Sequence, residues 1–220
     1  GKKISVERAD STCVDSAAAT TAAEGLIANG VVAIMGADCS GVTGAIATNV
    51  AVPNGVVMIS PSATSPGLTD LNDNGYFFRT APSDARGGQI LADITKDRKV
   101  KSVAITYTNN DYGKGLADVY KAAVEAHGIK VTTVAAHEDG KADYSAEVAT
   151  LASAGGDAVA VIGYIDQGGK GIIQASLDSG AFDKFILSDG MIGDSLTDNF
   201  GKDLNKSFGS LPGSTGKGAG

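Results

Sequence analysis

Two cysteines carry the most specific chemistry in this chain, and each lies in a short polar segment. Cys13 lies in segment 11–15 and Cys39 in segment 36–41, each after a predicted strand and before a predicted helix. In an open parallel sheet these positions are the carboxyl ends of strands, where ligands bind. Two cysteines at neighbouring strand ends can be bridged, which indicates an oxidising compartment; two buried free thiols are the alternative. The pattern favours an extracytoplasmic binding protein over a cytosolic enzyme.

Hydroxyl-bearing residues beside Cys39 and after the following strand could hold an anion. Ser40 opens the second predicted helix, where backbone N–H groups and the helix dipole favour a carboxylate. Segment 60–66, which contains Ser62, Ala63 and Thr64, brings further hydroxyl and N–H groups to the same sheet edge. The alternatives are a plain N-cap for Ser40 and an ordinary hydroxyl-stabilised turn for the segment. Together the two clusters favour a carboxylate site.

Two tyrosines and one acid follow predicted strands in the second half of the chain. Tyr112, Tyr164 and Asp189 each come shortly after such a strand. If two lobes face each other, these three side chains face the cleft between them. Tyr112 could instead be a packing residue at a helix start, and Asp189 could be a turn or cap residue.

Catalytic and metal-binding patterns find no support in the sequence. The two histidines, His127 and His137, are expected at the surface, and a Ser-His-Asp triad would need one of them beside Ser40. The motifs HExxH, CxxC, GxSxG, GxGxxG and the phosphate-binding P-loop do not occur. We therefore predict no catalytic residues, no metal and no cofactor.

Charge and hydropathy exclude two further classes of protein. The formal net charge is −7, and no cluster of lysine and arginine longer than about a pair occurs, so a nucleic-acid partner is not expected. No apolar run approaches the roughly 18 residues that a membrane-spanning helix needs.

Short β-branched runs alternate with alanine-rich stretches along the whole chain, which indicates an α/β fold. Continuous apolar strands separated by helices are typical of parallel sheets that helices cover on both faces. The predicted strands are 3–8, 31–35, 56–60, 76–80, 102–106, 130–135, 158–162 and 185–187, and the predicted helices are 15–29, 41–53, 83–97, 112–127, 144–154 and 170–178.

The segment 79–82 is the natural seam between two lobes. We predict lobe one over 1–81, lobe two over 82–207 and a return crossover and tail over 208–220. The chain starts on a strand that should lie inside a sheet and ends in a run of Gly, Ser, Thr and Lys over 213–220. We expect a mature or internal part of a longer protein; a complete chain with a disordered tail is the alternative.

The order of several motifs resembles one family, the type I periplasmic binding proteins, in particular the branch that binds leucine, isoleucine and valine for ABC importers. The resemblance runs over essentially all 220 residues. It is carried by STCVDS, MGADCSG, VMISPSATSPGLTD, FFRTAPSD, NNDYGKGLA, DYSAEVATL and LSDG. It implies a two-lobed α/β fold with a hinge, and since the family's chains are longer, it implies truncation at both ends and the loss of one ligand-contacting loop.

The resemblance also implies roles for residues near the first strands. Cysteines at the positions of Cys13 and Cys39 form a disulfide in this family. The residue at the position of Ser40 and the pair at Ala63 and Thr64 hold the α-carboxylate of the ligand.

In the second lobe, the resemblance implies that Asp189 binds the α-ammonium group of the ligand. It also implies that Tyr112 and Tyr164 close over the ligand. The acid is often Glu in near relatives, so Asp189 is one methylene shorter. Receptors for aromatic acids and other carboxylates share the scaffold, which leaves the ligand open.

The expected function is that of a receptor in the periplasm, or lipid-anchored outside the cell, with its signal peptide removed. It captures an amino acid, branched-chain or otherwise aliphatic, between its lobes as a monomer and delivers it to a membrane ABC permease. The first alternative is a sensor domain, or a receptor for another small carboxylate, on the same scaffold. The second is a doubly wound enzyme, against which the lack of a credible nucleophile or base argues.

Overall fold

The computed structural model describes residues 3–213, which form an α/β protein with two parallel sheets. The strands are β1 (Ala33–Met35), β2 (Val57–Ser60), β3 (Phe77–Arg79), β4 (Ser102–Thr108), β5 (Lys130–His137), β6 (Ala158–Ile162), β7 (Phe185–Leu187) and β8 (Phe208–Gly209). The helices are α1 (Ser16–Ala28), α2 (Ser40–Ile46), α3 (Asp84–Asp97), α4 (Asp111–Ala126), α5 (Ser145–Ala154), α6 (Lys170–Ser179) and α7 (Asp194–Phe200). The predicted fold class is confirmed.

The described chain divides into two compact units. The first contains residues 3–83 together with Asn110–Tyr112, and the second contains Asp84–Asn109 and the residues from Gly113 onward.

The first unit is built on a parallel sheet with the strand order β1-β2-β3. In one row across the sheet, Ile34 pairs with Met58 and Met58 with Phe77, and all three side chains are buried in one core. Helix α1 begins after Asp15, whose carboxylate accepts hydrogen bonds from the backbone N–H groups of Ala17 and Ala18. This N-cap satisfies donors that the first helical turn leaves unpaired.

Helices cover only one face of this sheet within residues 3–213. The next row, Met35, Ile59 and Phe78, points away from the core, and Met35 is 90% and Phe78 52% exposed. Right-handed connections that advance in one direction place their helices on the same face of a sheet. Within residues 3–213, the first sheet therefore lacks the second layer of helices that the sequence pattern predicts.

The predicted strand 3–8 is also wrong, because this segment is irregular in the structure. Its apolar residues Ile4 and Val6 are 90% and 73% exposed. An alternating pattern becomes a strand only where a neighbouring strand supplies hydrogen bonds and a core accepts one face. Cys13 consequently does not follow a strand.

The second unit is a five-stranded parallel sheet with the order β5-β4-β6-β7-β8. The central strand β6 is buried along its whole length, as the continuous apolar run predicts. One apolar cluster includes β6, β7, α5, α6 and α7, with Leu151, Ile172 and Phe185 fully buried.

Several elements of the second unit were not predicted. They are α7, the edge strand β8, which pairs Phe208 with Ile186, and the π-helical turn Ile165–Gly169 before α6. The predicted tail lies largely in 214–220, outside the described residues. None of the helices in residues 3–213 has both the length and the apolar character to span a bilayer.

Cys13 and Cys39 form a disulfide, as predicted, with their α-carbons 5.4 Å apart. Cys39 is also the N-cap residue of α2, without a side-chain capping bond. The disulfide therefore ties the segment before α1 to the loop that begins α2.

We expect the replacement of both cysteines by serine to lower the free energy of unfolding of the first unit. The bridge closes a loop with a sequence separation of 26, and chain entropy gives about 3.5 kcal/mol for a loop of that length. Urea unfolding of the oxidised protein and of the double variant measures this difference. Two free thiols in the unfolded, unreduced wild-type protein would contradict the bridge.

Candidate functional site

The predicted carboxylate-binding residues of the first unit lie together at the carboxyl end of its sheet. The Ser40 hydroxyl oxygen accepts hydrogen bonds from the backbone N–H groups of Thr64, at 3.2 Å, and Ser65, at 3.0 Å. Ser40 and Thr64 are both buried. Because Ser40 is the first residue of α2 rather than its N-cap, the plain-cap interpretation does not hold.

A second hydroxyl fastens the same two loops to each other. The Ser60 hydroxyl donates to the Ala37 carbonyl at 2.5 Å and accepts from the Ala63 N–H at 3.0 Å. The Ser62 hydroxyl donates to the Asp38 carbonyl at 2.8 Å. The hydroxyl-stabilised turn is therefore real, and it is centred on Ser60.

Arg79 braces this site, and sequence reasoning missed it. One guanidinium nitrogen donates to the Ser65 carbonyl at 2.7 Å and to the Ala63 carbonyl at 3.3 Å, while another donates to the Thr69 hydroxyl at 2.7 Å. A planar guanidinium can hold several acceptors in fixed directions. It also adds positive charge beside the loop 63–65. The available signal in the sequence is an arginine at the end of a predicted strand, in the segment 79–82 between the predicted lobes.

The Ser40 hydroxyl oxygen accepts two hydrogen bonds, and its hydrogen meets no acceptor among residues 3–213. Thr64 is buried, and its hydroxyl likewise makes no hydrogen bond in that range. Two hydroxyl donors beside a guanidinium suit the binding of a carboxylate oxygen.

The candidate tyrosines follow β4 and β6, the two neighbouring strands of the second sheet between which the strand order reverses. The chain leaves β4 for β5 on one side and leaves β6 for β7 on the other, although β4 and β6 are neighbours. Ligands of open α/β sheets bind outside the carboxyl ends of strands at such a switch point. Tyr112 follows β4 and is buried, and Tyr164 follows β6 and is half-buried.

Tyr112 groups with the first unit rather than the second. It belongs to the short segment Asn110–Tyr112 that the first unit includes. The Ser65 hydroxyl donates to the backbone carbonyl of Asp111 at 3.1 Å. The assignment of Tyr112 to the second lobe thus differs from the grouping in the structure, because the first residues of α4 pack against the Ser65 loop.

Asp189 follows Ser188 at the carboxyl end of β7 and is half-buried. It begins the 3₁₀ turn Asp189–Met191, where its carbonyl accepts the Ile192 N–H at 3.0 Å. The Gly163 N–H donates to the Ser188 hydroxyl at 3.2 Å. Tyr164 directly follows Gly163 and Asp189 directly follows Ser188, and Gly163 and Ser188 are hydrogen-bonded to each other. Tyr164 and Asp189 therefore lie at the same carboxyl edge of the second sheet.

The prediction that both histidines lie at the surface is wrong for His137, which is 2% exposed. Strand β5 extends to His137 instead of ending at residue 135, and this pairs His137 with Thr108 inside the sheet. Burial lowers the pKa of His137 to about 4, against the opposing effect of Glu147 and Glu138. His127 is half-buried, and its Nε2 lies 2.7 Å from the Asp93 carboxylate.

Metal binding has no geometric support in residues 3–213, where no three His, Cys, Asp or Glu side chains are placed to hold an ion.

The family described as "Receptor family ligand binding region" matches residues 1–211, and the chain belongs to it. Within that family it is similar to the type I periplasmic binding proteins whose names give leucine, isoleucine and valine as ligands. Over 144 residues it is 39% identical to a "Leu/Ile/Val-binding protein homolog 3" from Brucella melitensis, a match that covers 62% of this chain and 39% of the relative.

Two solved structures have the same fold. The leucine-binding protein LivK of Thermotoga maritima has a TM-score of 0.78 at 26% identity, covering 86% of this chain and 53% of that chain. LivJ of Streptococcus pneumoniae, solved in complex with isoleucine, has a TM-score of 0.74 at 26% identity, covering 89% and 55%. The chain therefore spans about half the length of these relatives or less.

We expect Gly113→Ala to destabilise the start of α4, which carries Tyr112. An added Cβ would overlap the Thr108 carbonyl oxygen and lie 2.9 Å from the Thr108 nitrogen, so backbone must move. Overpacking of this kind costs about 3 kcal/mol. The matched control is Gly87→Ala in α3, whose nearest neighbour is a side-chain atom of Asp84 at 3.4 Å. Urea unfolding should show a loss for the first variant and none for the control; equal midpoints would contradict the account.

Proposed function

We propose that this chain is the ligand-capturing part of an extracytoplasmic receptor that binds an aliphatic amino acid for an ABC importer. The observation that carries the proposal is the buried Ser40 hydroxyl, held by the N–H groups of Thr64 and Ser65, with Arg79 bracing their loop. This arrangement offers hydroxyl hydrogens and positive charge to a carboxylate. The relatives named for leucine, isoleucine and valine binding support the same ligand class.

Asp189 is the proposed partner of the ligand's ammonium group. It is a half-buried carboxylate at the carboxyl edge of the second sheet, and the first unit supplies the contacts to the ligand carboxylate. An amino acid needs both kinds of partner, because its two charged groups are separated by a single carbon. Tyr164 and Tyr112 offer apolar ring faces with polar tips, which suit an aliphatic side chain at a partly wet site.

The proposed function is binding without catalysis. The relatives compared above are named as binding proteins, which supports this proposal. Ser40 accepts two backbone hydrogen bonds and neither of these partners is a general base. The buried His137 belongs to the second unit, where its Nδ1 lies 2.8 Å from the Thr106 hydroxyl. The proposed location is the periplasm and the proposed partner is a membrane permease, which reads the liganded form.

We expect Asp189→Asn to weaken leucine binding by about a hundredfold or more. Loss of one member of a desolvated charge pair costs around 3–5 kcal/mol, because the other member stays buried and unpaired. The 2-keto acid of leucine, which lacks the ammonium group, should lose far less affinity. Calorimetry with both ligands measures the difference. Asp178→Asn, which changes an exposed carboxylate of α6, is the matched control and should leave both affinities unchanged.

Ser40→Ala should weaken the amino acid and the keto acid equally, since both contain the carboxylate that Ser40 is proposed to bind. Loss of a hydrogen bond to a charged group costs about 1.5–3 kcal/mol, which corresponds to a loss of roughly 10-fold to 150-fold. If wild-type protein binds the keto acid as tightly as leucine, the ligand is a carboxylate without an amine and the amino-acid assignment fails.

A further inference from the structure

His137 is a buried titratable side chain that the proposed function does not use. It ends β5, and its Nδ1 lies 2.8 Å from the hydroxyl of Thr106 on β4. Its other ring nitrogen, Nε2, is buried without a hydrogen-bond partner among the described residues. A neutral ring can leave one nitrogen unpaired at modest cost, whereas an imidazolium has two N–H donors that both need acceptors.

The backbone of Gly163 closes over this unpaired nitrogen. A Cβ added to Gly163 would lie 3.1 Å from His137 Nε2, so a larger residue would need the ring or the chain to shift by a few tenths of an ångström. The Gly163 N–H donates to the Ser188 hydroxyl on the opposite side. Gly163 is therefore held between the ends of β5 and β7. The next residue, Tyr164, accepts the N–H groups of the π-helical turn through its carbonyl.

The carboxylates near His137 leave its Nε2 without an acceptor. Glu147 on α5 and Glu138 next to it in sequence act on the ring only through their charge. Glu147 is paired with Lys141. Asp139 accepts the hydroxyl of Thr108 on β4 at 2.6 Å.

A further neighbour is the Tyr144 ring at the start of α5, which lies 6.3 Å from the imidazole in an edge arrangement. Asp139 Oδ1 and Glu147 Oε2 are also buried without a hydrogen-bond partner, and neither bonds Nε2 in the structure. An imidazolium Nε2–H is therefore unpaired in this arrangement and gains an acceptor only if the side chains or the turn around it move.

We propose that His137 is a positioning residue for the turn of Gly163 and Tyr164, and that acid opens this turn and weakens ligand capture. The inference rests on the proposed function in one respect, which is that Tyr164 contacts the ligand.

The direction of the pH effect follows from where the proton binds. Burial lowers the pKa of His137 from its ordinary value of 6.5 to about 4, so the open turn binds a proton more strongly than the closed one. The closed turn is fully favoured above pH 6.5 and loses that advantage as the pH falls toward 4. Between pH 7.0 and 5.0 the opening equilibrium should rise roughly 20-fold.

Asp139 opposes this effect, because burial raises the pKa of its carboxyl and acid therefore favours its buried, protonated form. A variant at His137 separates the two contributions. His137→Asn keeps a polar atom near the position of Nδ1, which can bond Thr106, and removes the titration. His127→Asn is the matched control, since His127 is the only other histidine of the chain.

The experiment is hydrogen exchange of the Gly163 amide in the 220-residue chain at pH 7.0 and 5.0, corrected for the intrinsic exchange rate. In wild-type protein and in His127→Asn, Gly163 should open more readily than the β6 amides. Its opening constant should rise in acid, by no more than the roughly 20-fold that His137 alone contributes. In His137→Asn that rise should disappear. Exchange of Gly163 with the same opening constant as the β6 amides, or without pH dependence in wild-type protein, overturns the proposal.

The affinity for leucine, measured at pH 7.0 and 5.0, tests whether opening of the turn of Gly163 and Tyr164 weakens ligand binding. The apparent affinity scales with the fraction of molecules whose turn is closed. Wild-type affinity should therefore fall in acid in proportion to the open fraction that the exchange of Gly163 gives at pH 5.0, and the affinity of His137→Asn should stay within about twofold. An equal fall in both proteins overturns the link to the ligand. No amino-acid binding at pH 7.0 would instead refute the proposed function, while the exchange of Gly163 would still decide whether His137 positions the turn. The wild-type exchange data decide this even if His137→Asn does not fold.

Discussion

Parallel pairing of the strands is the constraint on which the rest of the structure depends. It puts the carboxyl ends of β1 and β2 at one edge of the first sheet, and those of β4, β6 and β7 at one edge of the second. Polar loops that are far apart in the sequence thereby become neighbours in space. Ser40 and Thr64, which are 24 residues apart, meet in this way, as do Gly163 and Ser188, which are 25 apart.

Close packing of backbone on backbone then fixes each loop. A side chain at Gly113 would collide with the Thr108 backbone and push the loop outward, and one at Gly163 would press on the His137 ring. Short hydrogen bonds also fasten the loops of the first unit, such as those from Arg79 to the Ser65 carbonyl and from Ser60 to the Ala37 carbonyl. These bonds fix the loops through contacts within the chain itself.

Sequence reasoning predicted most elements, because continuous apolar runs such as β6 and capped helices such as α1 carry local signals. It failed where the outcome depends on a distant neighbour. The alternating segment 3–8 had a strand pattern but no partner strand, and His137 gave no sign of burial because its covering residue, Gly163, lies 26 positions away. Arg79 was missed for the same reason, since its acceptors at Ala63 and Ser65 are carbonyls, which no sequence pattern reveals.

The central claim is that the ligand binds at the carboxyl ends of the parallel strands. Amide chemical-shift changes on titration with L-leucine test this claim most directly. The account predicts that the largest changes fall in residues 38–41, 62–65, 110–113, 163–165 and 188–190. Changes concentrated at the amino ends of the strands, or on the exposed face formed by Met35, Ile59 and Phe78, would contradict it.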